Sequence, residues 1–239
     1  MREALRRSGT VRELFATGVA DQRHPDLVAA ARTAGVPVSP VTEDAAATLS
    51  ETVTPQGLVA VCDHLDLPLE AALAGRPRLV AVLAEIRDPG NAGTVLRTAD
   101  AAGARVVIFA GGAVDPYNGK CVRASAGSLF HVDVVRTPDA AGVVSTLREA
   151  GLQVLAATGH GETDLDRLPP DRLAAPTAWL FGSEAHGLPA ELAATADARV
   201  RVPIHGRAES LNLGAAAAVC LYTSARAQRE EPDREPEDV

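Results

Sequence analysis

Apolar residues along the chain fall into short runs separated by longer amphipathic stretches, and the two kinds alternate. Over residues 1–70 an arginine-rich helical start leads to an apolar run at 11–15 and a helical stretch at 25–34 that ends on Gly35. A second run at 36–41, a helix near 43–49 and a run at 58–62 follow. Runs this short, rich in valine and leucine and bounded by turn residues, read as strands. Residues 1–70 are therefore predicted to form a small α/β unit. Pro68, Gly75 and Pro77 flank a short alanine-rich turn, so residues 71–78 read as a linker out of it.

From Leu79 the alternation lengthens. Residues 79–84 form an unbroken apolar run suited to a central parallel strand, 92–102 is helical in period, and 106–109 is again strand-like. Beyond this βαβ unit come a helix around 120–128, a strand at 131–135, a helix at 139–150, strands at 154–157, 178–181 and 199–203, and a long alanine-rich helix at 212–228. Strands alternating with helices predict a mostly parallel sheet covered on both faces. The expected second domain spans 79–228, with 229–239 as a tail.

Composition narrows the class. The chain has 239 residues, of which 46% are hydrophobic and 23% charged, with a formal net charge of −8. That argues against a disordered chain, and no apolar run reaches the roughly 18 residues a membrane span needs. Arg2, Arg6 and Arg7 precede no apolar stretch, so a secretory leader is not expected and the cytoplasm is the expected compartment. Cys62, Cys121 and Cys220 are too few and too far apart for a disulfide framework or a zinc knuckle, and read as buried small residues. The segment 230–239, with six acids against Arg234, supplies five of the eight net negative charges. It reads as a solvated, disordered end broken by Pro232 and Pro236. The remaining body is close enough to neutral to carry a local basic patch for an anionic partner.

Three loops that follow predicted strands of the second domain carry the candidate chemistry. The first runs from Arg87 through Asp88, Pro89, Gly90 and Asn91 to Gly93, and then into Arg97. Pro89 and Gly90 make a turn and Asn91 a good N-cap, so helix amides are offered at a strand's carboxyl end, where open α/β sheets bind ligands. Taken alone, Arg97 is as readily an exposed helix arginine as a working one. The second loop is Gly182-Ser183-Glu184-Ala185-His186-Gly187-Leu188. Gly182 and Gly187 allow a ligand close to the backbone, while the Glu184 charge suits an uncharged or cationic ligand better than a phosphate. His186 reads as a hydrogen-bonding bystander. The third runs from Val202, Pro203 and Ile204 to Ser210, Leu211 and Asn212 at the start of the long helix. In isolation Ser210 and Asn212 read as caps.

In this order and at these distances, the three blocks resemble the signature motifs of the SpoU/TrmH branch of the SPOUT RNA methyltransferases. The segment Val122-Arg123-Ala124-Ser125-Ala126-Gly127-Ser128-Leu129-Phe130-His131 is similar to the family's intermediate block. The likeness covers residues 79–228, and 1–70 resembles the ribosomal-protein-like substrate-binding domain of the ribosomal-RNA branch. That domain usually opens on a strand which this sequence does not show before its first helix. Val202-Pro203-Ile204 conservatively varies a commoner isoleucine-proline-methionine.

The resemblance implies methyl transfer from S-adenosylmethionine to a ribose 2′-hydroxyl of RNA, with 23S ribosomal RNA preferred over transfer RNA. It also implies a carboxyl-terminal trefoil knot, an exception to the rule against threaded connections, a homodimer, and no metal or membrane. By correspondence Gly182, Glu184, Gly187, Val202 and Leu211 would hold the cofactor. Arg97, Ser210, Asn212 and Asn91 would form the catalytic set, and Arg123 and Ser125 would meet RNA. A nicotinamide-dependent oxidoreductase is disfavoured because no G-x-G-x-x-G follows the domain's first strand. A silent RNA-binding protein of the same fold is disfavoured by the presence of Arg97, Ser210 and Asn212.

Overall fold

The protein is described by a computed structural model that covers residues 1–230 apart from Glu51 and Val53. The acidic segment expected to be a solvated tail, 231–239, lies outside the described residues, while its first expected members Arg229 and Glu230 close the last helix. The chain divides into two compact units, Met1–Leu65 and Asp66–Val239.

The first unit holds β1 (Val11–Ala16), β2 (Val38–Pro40) and β3 (Leu58–Cys62) in the order β2-β1-β3, with β2 parallel and β3 antiparallel to β1. Leu14 and Ala16 of β1 meet Val28 and Ala31 of the helix Pro25–Thr33 in a small buried core. A helix not foreseen from the sequence, Gly18–Arg23, follows β1, because the Thr17 hydroxyl accepts from the Ala20 amide at 3.2 Å and caps it.

The second unit is built on β4 (Leu79–Ala84), β5 (Val106–Ala110), β6 (Asp133–Thr137), β7 (Gln153–Ala157), β8 (Thr163–Asp164), β9 (Thr177–Phe181) and β10 (Ala198–Arg201). Their order is β6-β5-β4-β9-β7-β10-β8 and every pairing is parallel. β4, β5 and β9 are buried at every position, which explains their continuous apolar sequences. Even-numbered positions of β4, Val80 and Val82, share one core with Leu147 of the helix Ala140–Glu149 and with Leu73. The helix Pro89–Ala102 and the last helix, Leu213–Glu230, pack against each other and against β4. Trp179 of β9 is fully buried and donates its indole N–H to the Ser224 hydroxyl at 3.0 Å, tying the middle of the sheet to the last helix.

The expected linker is a correction. Residues 66–78 belong to the second unit: the Leu67 amide donates to the Val134 carbonyl at 2.9 Å, and the helix Leu69–Leu73 buries Ala72 and Leu73. Its alanines and leucines read as a turn because five residues are too few to show a helical period. The short helices Pro170–Ala174 and Ala190–Ala194 escaped notice for the same reason.

Candidate active site

All strands of the second sheet run the same way, so the segments leaving β4, β9 and β10 emerge at one edge. β4 and β9 are neighbours there, and the winding of the sheet reverses between them: β5 and β6 lie to one side, β7, β10 and β8 to the other. This is the crevice position at which open α/β sheets bind ligands. Each of the three motif loops follows one of these strands.

After β4, Glu85 turns the chain with φ +56° and the helix begins at Pro89. Pro89 fixes the first helical turn, so the cap is Asp88 and not Asn91 as the sequence suggested. Asp88 Oδ1 accepts from the Asn91 amide at 2.8 Å, and Oδ2 accepts from Lys120 Nζ at 2.7 Å. The Lys120 ammonium, followed by the Asn91 amide, holds the Asp88 carboxyl below its usual range. With its backbone inside the first turn, Asn91 has its side chain free to reach elsewhere, and Nδ2 donates to Glu184 Oε1 in the loop after β9.

That second loop is a tight hairpin. Ser183 and Gly187 exchange backbone hydrogen bonds of 3.1 and 2.8 Å, and Gly187 takes φ +68°. A Cβ on Gly182 would lie 2.2 Å from the Gly187 carbonyl carbon, so only glycine closes the hairpin. Glu184, His186 and Gly187 are exposed on it.

In the third loop Val202 is half-buried, while Ile204, Ser210, Leu211 and Asn212 are exposed. Asn212 Oδ1 accepts from the Ala215 amide at 2.8 Å, so it does cap the last helix. A Cβ on Gly214 would stand 2.7 Å from Thr94 Cγ2, which places the start of the last helix directly against the helix of the first loop. The first block therefore meets the second through Asn91 and Glu184, and the third through Thr94 and Gly214. Leu211 and Ile204, large apolar side chains 39% and 38% exposed, lie in the same connection. A carboxylate, a glycine hairpin with open backbone and unburied apolar surface suit a cationic, partly apolar ligand such as S-adenosylmethionine.

Arg97 is exposed and makes no hydrogen bond or ion pair among the described residues. No hydrogen bond joins it to Ser210 or Asn212. Arg123 is likewise exposed. Ser125 is not available as an RNA contact in this arrangement: it is 1% exposed and its hydroxyl donates to the Val122 carbonyl at 2.8 Å. It sits where a Cβ on Gly93 would come within 3.0 Å of its amide, at the contact between the helices Pro89–Ala102 and Gly119–Ala124. The intermediate block thus acts in part as packing, and His131 Nδ1 lies 2.8 Å from Asp100 Oδ2. Sequence reasoning passed over Lys120, although its being the chain's one lysine was a signal.

A parallel α/β sheet with three motif loops at its carboxyl edge is the arrangement of a ligand-binding α/β enzyme, and its likeness to known proteins narrows the class to the SPOUT methyltransferases. Residues 78–222 match the SpoU rRNA Methylase family, and residues 2–68 match the RNA 2′-O ribose methyltransferase substrate binding family. The chain belongs to the SpoU rRNA methylase family, whose members are S-adenosylmethionine-dependent RNA methyltransferases. It is similar to the 23S rRNA (guanosine(2553)-2′-O)-methyltransferase RlmP of Bacillus subtilis, 34% identical over 92% of this chain and 83% of the relative. An AdoMet-bound rRNA methyltransferase from Sinorhizobium meliloti superposes with a TM-score of 0.80 at 32% identity, covering 94% of this chain and 83% of that one. The SpoU methyltransferase AviRb from Streptomyces viridochromogenes, in complex with AdoMet, superposes with a TM-score of 0.81 at 30% identity, covering 96% and 87%.

Proposed function

We propose that this protein transfers a methyl group from S-adenosylmethionine to a ribose 2′-hydroxyl of 23S ribosomal RNA, in the cytoplasm and as a homodimer. The observation that carries this reading is the junction of three distant motif blocks, through Asn91 with Glu184 and Thr94 with Gly214, beside an arginine that no carboxylate engages. The substrate-binding match over residues 2–68 and the name of the similar Bacillus subtilis enzyme favour ribosomal RNA.

When bound, S-adenosylmethionine supplies an already activated methyl group on its sulfonium. The Gly182–Gly187 hairpin and the stretch Val202 to Leu211 hold it through backbone groups and apolar contact, and Glu184 fixes the hairpin by its bond to Asn91. A ribose hydroxyl is a weak acid and needs help as a nucleophile. Guanidinium groups remain charged in proteins, so Arg97 acts by binding the adjacent phosphate and steadying negative charge on the 2′-oxygen, not as a base. Ser210 and Asn212 orient the RNA, and in-line alignment supplies the rest of the acceleration. The proton leaves to solvent.

The last helix exposes Tyr222 and Val219 and, with Arg226, lines a cavity of about 660 Å³. We read this face as the dimer contact. The chain's return from β10, which lies between β7 and the edge strand β8, to the helix after β4 supports the expected knot. Among the described residues no helix is long and apolar enough to cross a membrane.

Incubation with tritiated S-adenosylmethionine and total RNA, followed by mapping of 2′-O-methyl stops, tests the reading. Label in one ribosomal RNA position is expected; label in transfer RNA would move the substrate class. Arg97→Ala should abolish transfer while cofactor affinity stays within about threefold, since arginine contributes charge at the hydroxyl and not to cofactor binding. Equal loss of both would contradict the role given to Arg97.

A further inference from the structure

In the second unit, Arg136, Arg148, Arg167, Arg199, Arg201 and Arg226 are ion-paired to carboxylates. Six exposed arginines there make no side-chain hydrogen bond or ion pair among the described residues, and they fall into two groups. Arg87, Arg97 and Arg207 belong to the site loops and the helix that follows the first of them, and Arg123 to the helix Gly119–Ala124 packed against that helix. Arg76 and Arg105 do not. They line a separate cavity of about 300 Å³ together with Arg78 and Arg229, and among the described residues no acidic side chain takes part in its walls.

This cavity lies at the opposite edge of the sheet from the motif loops, between the start of β4, the end of the helix Pro89–Ala102 and the end of the last helix. Two of its arginines have local work. Arg78 Nη2 donates to the Ala174 carbonyl at 2.8 Å, and Arg229 Nη2 lies 3.4 Å from the Ala102 carbonyl, where a cation complements a helix carboxyl end. Arg76 and Arg105 have no such duty. Arg76 is held at φ +47° between Gly75 and Pro77, a backbone conformation uncommon for a side chain of its size. Arg105 Nη1 passes 3.7 Å from where a Cβ on Gly75 would stand. Cations gathered without a carboxylate among the described residues repel one another, and such an arrangement favours an anionic ligand.

We propose that this arginine cavity binds the phosphodiester backbone of the RNA substrate beyond the target ribose. The proposal rests on the RNA reading given above. Arg97 and the cavity share one helix, and the rise from residue 97 to residue 102 is only about 7.5 Å. Five residues also turn about 140° round the helix, so a strand whose ribose lies at Arg97 reaches Arg76 and Arg105 by following that helix round to its carboxyl end. Phosphate contacts of this kind set register and affinity without reading sequence.

The test is the full-length Arg76→Glu/Arg105→Glu variant beside Arg76→Lys/Arg105→Lys, with ribosomal RNA and S-adenosylmethionine. The glutamate variant is expected to raise the KM for RNA at least about tenfold and to flatten the dependence of log affinity on log salt by about one to two, roughly one per lost phosphate contact. Its kcat at saturating RNA and its cofactor affinity should match those of the unaltered protein, and the lysine variant should retain RNA affinity. An unchanged KM and salt slope in the glutamate variant would overturn the proposal, as would parallel loss of cofactor binding. Failure of the unaltered protein to methylate any RNA would instead refute the function proposed above.

Discussion

Gly182 has room for a hydrogen and nothing larger, because the hairpin it opens folds back until the Gly187 carbonyl carbon would stand 2.2 Å from a Cβ. Backbone atoms cannot yield to that methyl, so Gly182→Ala should open the hairpin and weaken S-adenosylmethionine binding by more than about tenfold, with the smaller loss of melting temperature expected where only residues 184–187, which are exposed, are displaced. Calorimetric titration against a thermal melt separates the two effects. The Asn91–Glu184 bond permits a stricter experiment. Asn91→Ala and Glu184→Ala should each weaken cofactor binding, and the double variant should lose less than the sum, with a coupling of about 1 kcal/mol or more. Strict additivity would mean that the contact does no positioning.

At the scale of elements, the helix Pro89–Ala102 carries the proposed site because of how it starts. Its cap, Asp88, bonds both the Asn91 amide and Lys120. Asp88→Ala should destabilise the second unit by about 1 kcal/mol, whereas Asp88→Asn, which keeps a capping oxygen, should recover most of it. Denaturant midpoints of the two variants measure the difference. The sequence reading took Asn91 as the cap, although Asp88, three positions earlier, is also a residue type that caps helices. The proline between them settles the choice, since the cap must precede the residue whose φ is already helical. Similar reasoning explains Ser125, whose place in a motif suggested RNA contact. Its burial follows from a close helix crossing at Gly93, and no local pattern announces which residue on the partner helix will be pinned there.

For the whole molecule, acid sensitivity follows from carboxylates whose pKa is lowered in the fold. Asp197 shows the balance. Burial pushes its carboxyl up, but the bonds it accepts from the Val154 amide and from Arg148 prevail and hold it below the usual aspartate value. A depressed carboxylate contributes stability that is present above the unfolded-state pKa and lost as pH falls through the folded one. The melting temperature should therefore be flat above about pH 5 and fall below about pH 4, and the fall should be shallower in Asp197→Asn. An identical acid profile in the variant would remove Asp197 from that account.

The run of apolar residues in β4, β5 and β9 was readable because strands buried on both faces admit almost nothing polar. The glycines and small polar residues after those strands were readable for a related reason: close backbone approach and helix starts restrict residue type strongly. Sequence by itself therefore determined the class of fold and set three glycine-containing loops after strands of the parallel sheet. Helices of five residues and the fate of 66–78 were beyond it, because so short a segment takes its structure from what it packs against. Only the tertiary structure decided that Asn91 reaches Glu184, that Gly214 abuts Thr94, and that unpaired arginines gather at a second place across the sheet. Those facts depend on which strands become neighbours, and β9 settles beside β4 through a pairing, Leu79 with Thr177, that is nearly a hundred residues apart in the chain and that no local propensity encodes.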